Sequence, residues 1–131
     1  MIVYTDSGLR EYCYIIGDFV KVRNPHSSPV TVNEGEYKAL LLAIRYIWVN
    51  MIAYSAVPTE IEFRSDSQLM VRQLNGQYKC KSPMLSGLKK QIWGTARSLI
   101  KVGCMVSFVW VPREQNLAGI ELEKGEKPNG N

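Results

Sequence analysis

Residues 60–76 read EIEFRSDSQLMVRQLNG and predict a strand that passes directly into a short helix. Within residues 60–65 charged and apolar side chains alternate, which is the pattern of a half-buried strand. Asp66 follows this strand at once, and Asn75-Gly76 is a typical helix end. A strand that continues into a helix is the first half of a β-α-β crossover, so we expect a parallel pair of strands here.

The segments on either side predict the rest of an α/β fold. Upstream lie three short β-prone segments joined by turns, then a loop and a long helix with one apolar face. Downstream lie another helix, a β-branched and aromatic strand, and a last short helix. A meander followed by β-α-β crossovers predicts one mixed sheet flanked by helices. The other predicted strands are 1–4, 11–16, 19–22 and 105–111, and the later helices are 84–102 and 117–124.

The composition is that of one ordinary globular domain, with 46% hydrophobic and 21% charged residues in a chain of 131. We expect residues 1–124 to form a single domain and the polar residues 125–131 to form a disordered tail. No apolar run has the length of a membrane span, and the N-terminal MIVYTDSG lacks signal-peptide features. Three cysteines without metal-ligand spacing fit a reduced setting, so we expect a cytoplasmic protein without membrane contact.

The positive charge is concentrated in one part of the chain. The net charge is +4, and residues 72–97 contain six Lys or Arg and no Asp or Glu. Such a run is either a solvated helix face or a surface that follows a phosphate backbone. Charge alone favours neither interpretation.

Three acids precede or follow predicted elements at positions where they could meet. Asp6 and Asp66 each lie just past a strand, and Glu36 lies in the first turn of the long helix, three residues after Asn33. If the two strands are parallel neighbours, both aspartates lie at one sheet edge. Clustered carboxylates need a cation, and Mg²⁺ prefers such oxygen ligands. Each acid also has a structural alternative: a turn residue, a capping partner of Asn33, and a helix-dipole charge.

These residues stand in segments that resemble type 1 ribonuclease H. YTDSG (4–8), TVNEGEY (31–37), SDSQLMVRQLNGQYKCKS (65–82) and VSFVWVPREQN (106–116) match family segments in the same order. The resemblance implies a ribonuclease H-like catalytic domain with a five-stranded mixed sheet. It also implies two Mg²⁺ or Mn²⁺ ions at Asp6, Glu36 and Asp66, and endonucleolytic cleavage of RNA in an RNA–DNA hybrid. A monomer without an obligate protein partner is expected.

The same resemblance implies roles for further residues. Several positions would contact the hybrid near its minor groove, where short polar groups meet the 2′-hydroxyl. Two lysines would meet phosphates, which gives position rather than sequence selectivity. Arg113 would orient the phosphate or help product leave, because arginine cannot shuttle protons at neutral pH. The implied substrate-binding residues are Ser7, Gly8, Thr31, Asn33, Gln68, Lys79 and Lys81.

One departure from the family pattern concerns its fourth carboxylate. REQNLAGIELE (113–123) has Gly119 where an aspartate is expected. Asn116 is the preferred substitute because its amide oxygen could bind a metal, Glu121 is the second choice, and Asn116 could instead only cap the last helix. The departure keeps open a catalytically weak or inactive module that binds nucleic acid. A resolvase-like nuclease acting on DNA is disfavoured by residues 66–81.

The remaining expectations concern the single histidine and the tryptophans. His26 lies in a loop between prolines, and we expect it at the surface without a partner. Trp48, Trp93 and Trp110 lie in helical or strand patterns, which predicts core packing rather than base stacking.

Overall fold

Five strands form one mixed sheet in the order β3-β2-β1-β4-β5 in the computed structural model, which describes residues 1–53 and 58–124. The predicted tail, 125–131, lies outside the described residues. The strands are β1 (Ile2–Ser7), β2 (Glu11–Ile16), β3 (Val20–Pro25), β4 (Glu60–Ser65) and β5 (Met105–Trp110). The helices are α1 (Val32–Ala53), α2 (Gln68–Leu74), α3 (Pro83–Lys101) and α4 (Leu117–Glu123), with a 3-10 turn at Arg113–Gln115.

The sheet changes from antiparallel to parallel at β1, its central strand. β1 pairs antiparallel with β2, and β2 pairs antiparallel with β3. On its other side β1 pairs parallel with β4, and β4 pairs parallel with β5. The predicted α/β fold, a five-stranded mixed sheet with helices, is therefore confirmed.

Helices cover both faces of the sheet. On one face α1, α2 and α3 enclose the main core, in which Leu40, Ile44 and Ile47 of α1 meet Phe63 of β4. On the other face α4 packs on β1 and β2, with Leu122 against Cys13. No helix of the described part of the chain is long and apolar enough to cross a membrane.

The start of α1 differs from the prediction. The Glu34 backbone N–H donates to Thr31 Oγ1 at 3.2 Å, and the Thr31 N–H donates to Glu34 Oε1 at 3.4 Å. This pair is a capping box, which fixes the helix start at Val32. The predicted cap of Asn33 and Glu36 is wrong because Thr31 satisfies the same spacing two residues earlier. Glu36 therefore takes no part in this cap.

Two other expectations fail at the ends of strands. β1 continues to Ser7, so Asp6 lies inside the strand, opposite Cys13, because β2 supplies pairing partners for these polar residues. Trp110 is 45% exposed instead of buried, because it ends β5, the edge strand of the sheet. Trp48 and Trp93 pack against the core as predicted.

Candidate active site

Asp6, Glu36 and Asp66 meet at one edge of the sheet. Parallel pairing of β1 with β4 brings Asp6, near the end of β1, beside Asp66, which directly follows β4. α1 crosses the same edge and contributes Glu36, just after its first turn. One carboxylate oxygen of each residue lies within 4.8 Å of those of the others. The three acids, here called the acid site, thus converge as the sequence analysis expected.

Gly35 allows the backbone of α1 to lie close to Ser7, next to Asp6. A Cβ at residue 35 would lie 2.3 Å from Ser7 Oγ and 3.2 Å from Ser7 Cβ, distances that side-chain atoms do not tolerate. The helix backbone therefore packs directly on the turn that follows Asp6. A larger residue would push α1 away and carry Glu36 with it.

We expect Gly35→Ala to lower the free energy of unfolding by about 1–3 kcal/mol, the usual cost of overpacking. The loss should appear as a lower midpoint in urea denaturation. Gly94→Ala is the matched control, because Gly94 also lies inside a helix and its Cβ would meet nothing within 4 Å. The control should gain up to about 1 kcal/mol from better helix propensity. Equal effects of the two changes would contradict the close approach at Gly35.

Burial and mutual repulsion hold protons on the acid site. Burial, then the charge of Asp66, raises the pKa of Asp6 to about 7. Burial, then Asp6 and Asp66, raises the pKa of Glu36 to about 9. Glu36 Oε1 is fully buried and has no hydrogen-bond partner within the described part of the chain. A buried carboxylate oxygen without a donor is costly, so the residues present fit a divalent cation that would satisfy it.

Arg113 lies beside these acids on the 3-10 turn. It lines a cavity of about 170 Å³ together with Asp6, Ser7, Gly8 and Gly119. Its charge lowers the pKa of Asp6 and Glu36, although burial and the neighbouring acids outweigh this effect. Arg113, which was predicted as a catalytic residue, therefore lies next to the acid site and lines the cavity.

Asn116 is fully buried next to the acid site and caps α4. Its Nδ2 donates to the Thr5 backbone oxygen at 2.9 Å and to Asp66 Oδ2 at 3.3 Å. Its Oδ1 accepts from the Ala118 N–H at 3.1 Å. Because both nitrogen contacts are acceptors, the amide nitrogen faces Asp66 and the oxygen faces the helix. The capping role that the sequence analysis left open is thus present, and the amide group aligns Asp66.

Glu121 and Gly119 occupy different sides of α4. Glu121 forms an ion pair with Lys21 at 3.0 Å and lies 3.9 Å from Arg23, so β3 holds its carboxylate. Gly119 faces the acid site: a Cβ there would lie 3.1 Å from Asp6 Oδ2 and 3.6 Å from Asp66 Oδ2. The first turn of α4 therefore approaches both aspartates without contributing a side chain.

Five of the expected substrate-binding residues lie at the surface. Thr31 and Asn33 are exposed at the start of α1, and Gln68 is exposed as the first residue of α2, two positions after Asp66. Lys79 and Lys81 are exposed in the connection between α2 and α3. Exposed polar and basic groups at these positions are available to a ligand that reaches the acid site.

Ser7 is the last residue of β1, Gly8 follows it, and the histidine contacts the Ser7 hydroxyl. Ser7 Oγ lies 2.8 Å from His26 Nε2 and donates to the Gly8 oxygen at 2.8 Å. His26 also packs against Tyr12, with ring centroids 5.4 Å apart. The expectation that His26 has no partner is wrong, because the loop after β3 folds back over the end of β1.

Sequence reasoning missed two residues at the site. The Trp110 indole N–H donates to the Asp66 backbone oxygen at 3.2 Å and so fixes the turn that carries Asp66. Glu123 lines the same cavity as Asp6 and Arg113. Its spacing of four residues from Gly119 was the available signal, because residues four apart share a helix face.

Comparisons with known proteins agree with this architecture. The family model described as "Reverse transcriptase-like" matches residues 17–123. The crystal structure of LC11-RNase H1 in complex with RNA/DNA hybrid has 30% identity and a TM-score of 0.78, covering 92% of this chain and 91% of that one. RNase H1 from the halophilic archaeon Halobacterium salinarum NRC-1 has 26% identity, a TM-score of 0.68 and 92% coverage of both chains.

A third structure shares the fold at lower identity. The N-terminal RNase H domain of rv2228c from Mycobacterium tuberculosis has 22% identity and a TM-score of 0.68, covering 92% of this chain and 93% of that one. The fold, the motif order and the 30% identical relative lead to one assignment. The chain belongs to the type 1 ribonuclease H family.

Proposed function

We propose that this chain is an endoribonuclease that hydrolyses the RNA strand of RNA–DNA hybrids with two divalent metal ions. The observation that carries the proposal is the convergence of Asp6, Glu36 and Asp66 around a buried carboxylate oxygen without a donor. The substrate class is supported by the 30% identical LC11-RNase H1, which was crystallised with an RNA/DNA hybrid.

The acid site would hold Mg²⁺ or Mn²⁺ through hard carboxylate oxygens. Such ions supply an activated water and stabilise the leaving oxygen in phosphodiester cleavage. Asn116 and Trp110 keep Asp66 in place through its carboxylate and its backbone oxygen. Arg113 adds a permanent positive charge at the cavity, suited to orienting the scissile phosphate or helping product leave.

The surface around the acid site would recognise the hybrid by shape and sugar chemistry. Ser7, Gly8, Thr31, Asn33 and Gln68 offer short polar groups and backbone near the acids, suited to a 2′-hydroxyl. Lys79 and Lys81 would meet phosphates. Because these contacts carry little base information, we expect slight sequence preference.

The test is cleavage of a labelled RNA–DNA hybrid with Mg²⁺ or Mn²⁺, beside the Asp66→Asn variant. We expect the wild type to cut only the RNA strand, the variant to be inactive, and a chelator to stop the reaction. Double-stranded DNA and single-stranded RNA should remain intact. Cleavage of DNA would instead support a resolvase-like nuclease and contradict the proposal.

A second candidate is a catalytically weak or inactive module that binds nucleic acid. Gly119 favours it, because the helix that approaches Asp6 and Asp66 carries no side chain at this point. Hybrid binding in a mobility-shift assay, without cleavage in either metal, would support this candidate. Binding together with RNA cleavage would exclude it.

A further inference from the structure

α4 carries two glutamates, Glu121 and Glu123, and Glu123 lines the cavity that also contains Asp6. Glu123 lies four residues after Gly119, and four helical residues span about 6 Å. Residues with this spacing share one helix face, and helical side chains lean towards the helix N-terminus. A glutamate at 123 therefore extends back towards the turn of Gly119, where the backbone of α4 lies close to Asp6.

The cavity geometry agrees with this placement. Asp6, Arg113, Gly119 and Glu123 line the same cavity of about 170 Å³. A Cβ at residue 119 would lie 3.1 Å from Asp6 Oδ2 and would crowd it, whereas Glu123 reaches the cavity from one turn further along α4. Leu122 is buried against the sheet, which fixes the rotation of α4 and keeps its neighbour Glu123 at the cavity.

The other acid of α4 is committed elsewhere. Glu121 lies within ion-pair distance of Lys21, Arg23 and Lys124. Its hydrogen bond to Lys21, with the charge of Lys124, lowers the pKa of its carboxyl group. Glu123 forms no ion pair within 4.0 Å among residues 1–53 and 58–124. Of these two glutamates, the one without an ion pair in the described part of the chain is thus the one that lines the cavity with Asp6.

An independent observation indicates that this cavity adjoins a cation site. Glu36 is 94% buried, and its Oε1 has no donor in the described part of the chain although it lies among the other two acids. Asn116, the alternative fourth ligand, turns its amide nitrogen rather than its oxygen towards Asp66. A nitrogen that donates hydrogen bonds does not bind a cation.

We propose that Glu123 supplies the fourth carboxylate of the metal site, reaching back along α4 to the cavity beside Asp6, in place of the aspartate that the family pattern has in the first turn of this helix. This inference rests on the proposed function, since it concerns the same divalent ions. It assigns the role to neither Asn116 nor Glu121. Asn116 instead aligns Asp66, and Glu121 fastens α4 to β3.

The test is direct Mn²⁺ binding to the full chain. Binding is measured by the loss of the paramagnetic resonance signal of the free ion and, separately, by calorimetry. We expect Glu123→Gln to raise the Kd for Mn²⁺ about tenfold, the scale seen when a group that supports a metal site is removed. Glu121→Gln removes the same charge from the same helix and controls for long-range electrostatics. Glu60→Gln changes a glutamate at the opposite end of β4 from Asp66, and it shows whether a glutamate-to-glutamine change far from the site alters Mn²⁺ binding.

Each outcome separates this inference from the proposed function. A Kd that rises in Glu123→Gln but not in Glu121→Gln or Glu60→Gln supports the inference. Wild-type Mn²⁺ affinity in Glu123→Gln, or an equal loss in Glu121→Gln, overturns it while the three-acid site stands. If the wild type binds Mn²⁺ no better than Asp66→Asn does, the metal site and the inference fall together.

Discussion

Glu36→Gln should lower RNA cleavage by roughly a thousandfold or more, which corresponds to about 4 kcal/mol in the activation barrier. Glu36 is the contribution of α1 to the acid site, and its buried Oε1 has no other partner in the described residues. The amide keeps the shape of the side chain but removes the negative charge that would hold a cation. The measurement is the initial rate of hybrid cleavage at saturating Mg²⁺.

The matched control for this variant is two residues away on the same helix. Glu34 serves the capping box and forms an ion pair with Lys38 at 2.7 Å. Glu34→Gln should therefore retain cleavage and lose at most about 1 kcal/mol of stability. Glu36→Gln should keep stability near neutral pH and gain it near pH 9 in a chelator, where the buried wild-type carboxylate becomes charged. Wild-type cleavage by Glu36→Gln would remove this residue from the catalytic machinery.

The metal-free chain should become less stable as pH rises. Asp6 has a pKa of about 7 in the fold against 3.8 as its ordinary value, and Glu36 has about 9 against 4.5. Between these values the unfolded chain has released protons that the folded chain still binds. Stability therefore falls with rising pH, starting near pH 4 and levelling off above about 9. We expect a loss of a few kcal/mol between pH 5 and pH 9 in a chelator.

Urea denaturation at pH 5, 7 and 9 measures this dependence. Mg²⁺ should restore stability most at high pH, because ligand carboxylates must be ionised and binding favours the folded state. Asp6→Asn should flatten the pH dependence in the chelator, because it removes the Asp6 ionisation and its repulsion of Glu36. A metal-free stability that is flat or rises over this range would show that the acids do not retain protons.

Local sequence patterns predicted the strands and helices that carry the acid site. The strand at residues 60–65 followed by helices predicted a parallel pair, which is that of β4 with β5. The pairing that places Asp66 beside Asp6 is that of β1 with β4, which the sequence analysis took only as a condition. Hydrophobic periodicity predicted the face that α1 packs on the sheet, and so the side from which Glu36 arrives. The elements and the apolar face of α1 depend on residues close together in sequence, whereas the pairing of β1 with β4 joins distant ones.

What sequence reasoning missed depends on distant contacts. Thr31 and Asn33 both fit a helix cap, and only the three-dimensional course of the preceding loop decides between them. The orientation of Asn116 follows from the Thr5 backbone and Asp66, and that of Glu121 from Lys21 on β3. The rotation of a helix as short as α4 is set by its packing, so the sequence analysis named Glu121 as the second choice and did not consider Glu123.

The glycines inside helices separate into two groups that matter for engineering this protein. A Cβ at residue 87 or 94 of α3 would meet nothing within 4 Å, so alanine at these positions should stabilise the helix. Residues 35 and 119 sit against Ser7 and Asp6, where the missing methyl group gives the chain its tight approach to the acids. A thermostabilisation campaign that scores only helix propensity would replace all four and would crowd Ser7 and Asp6 at two of them.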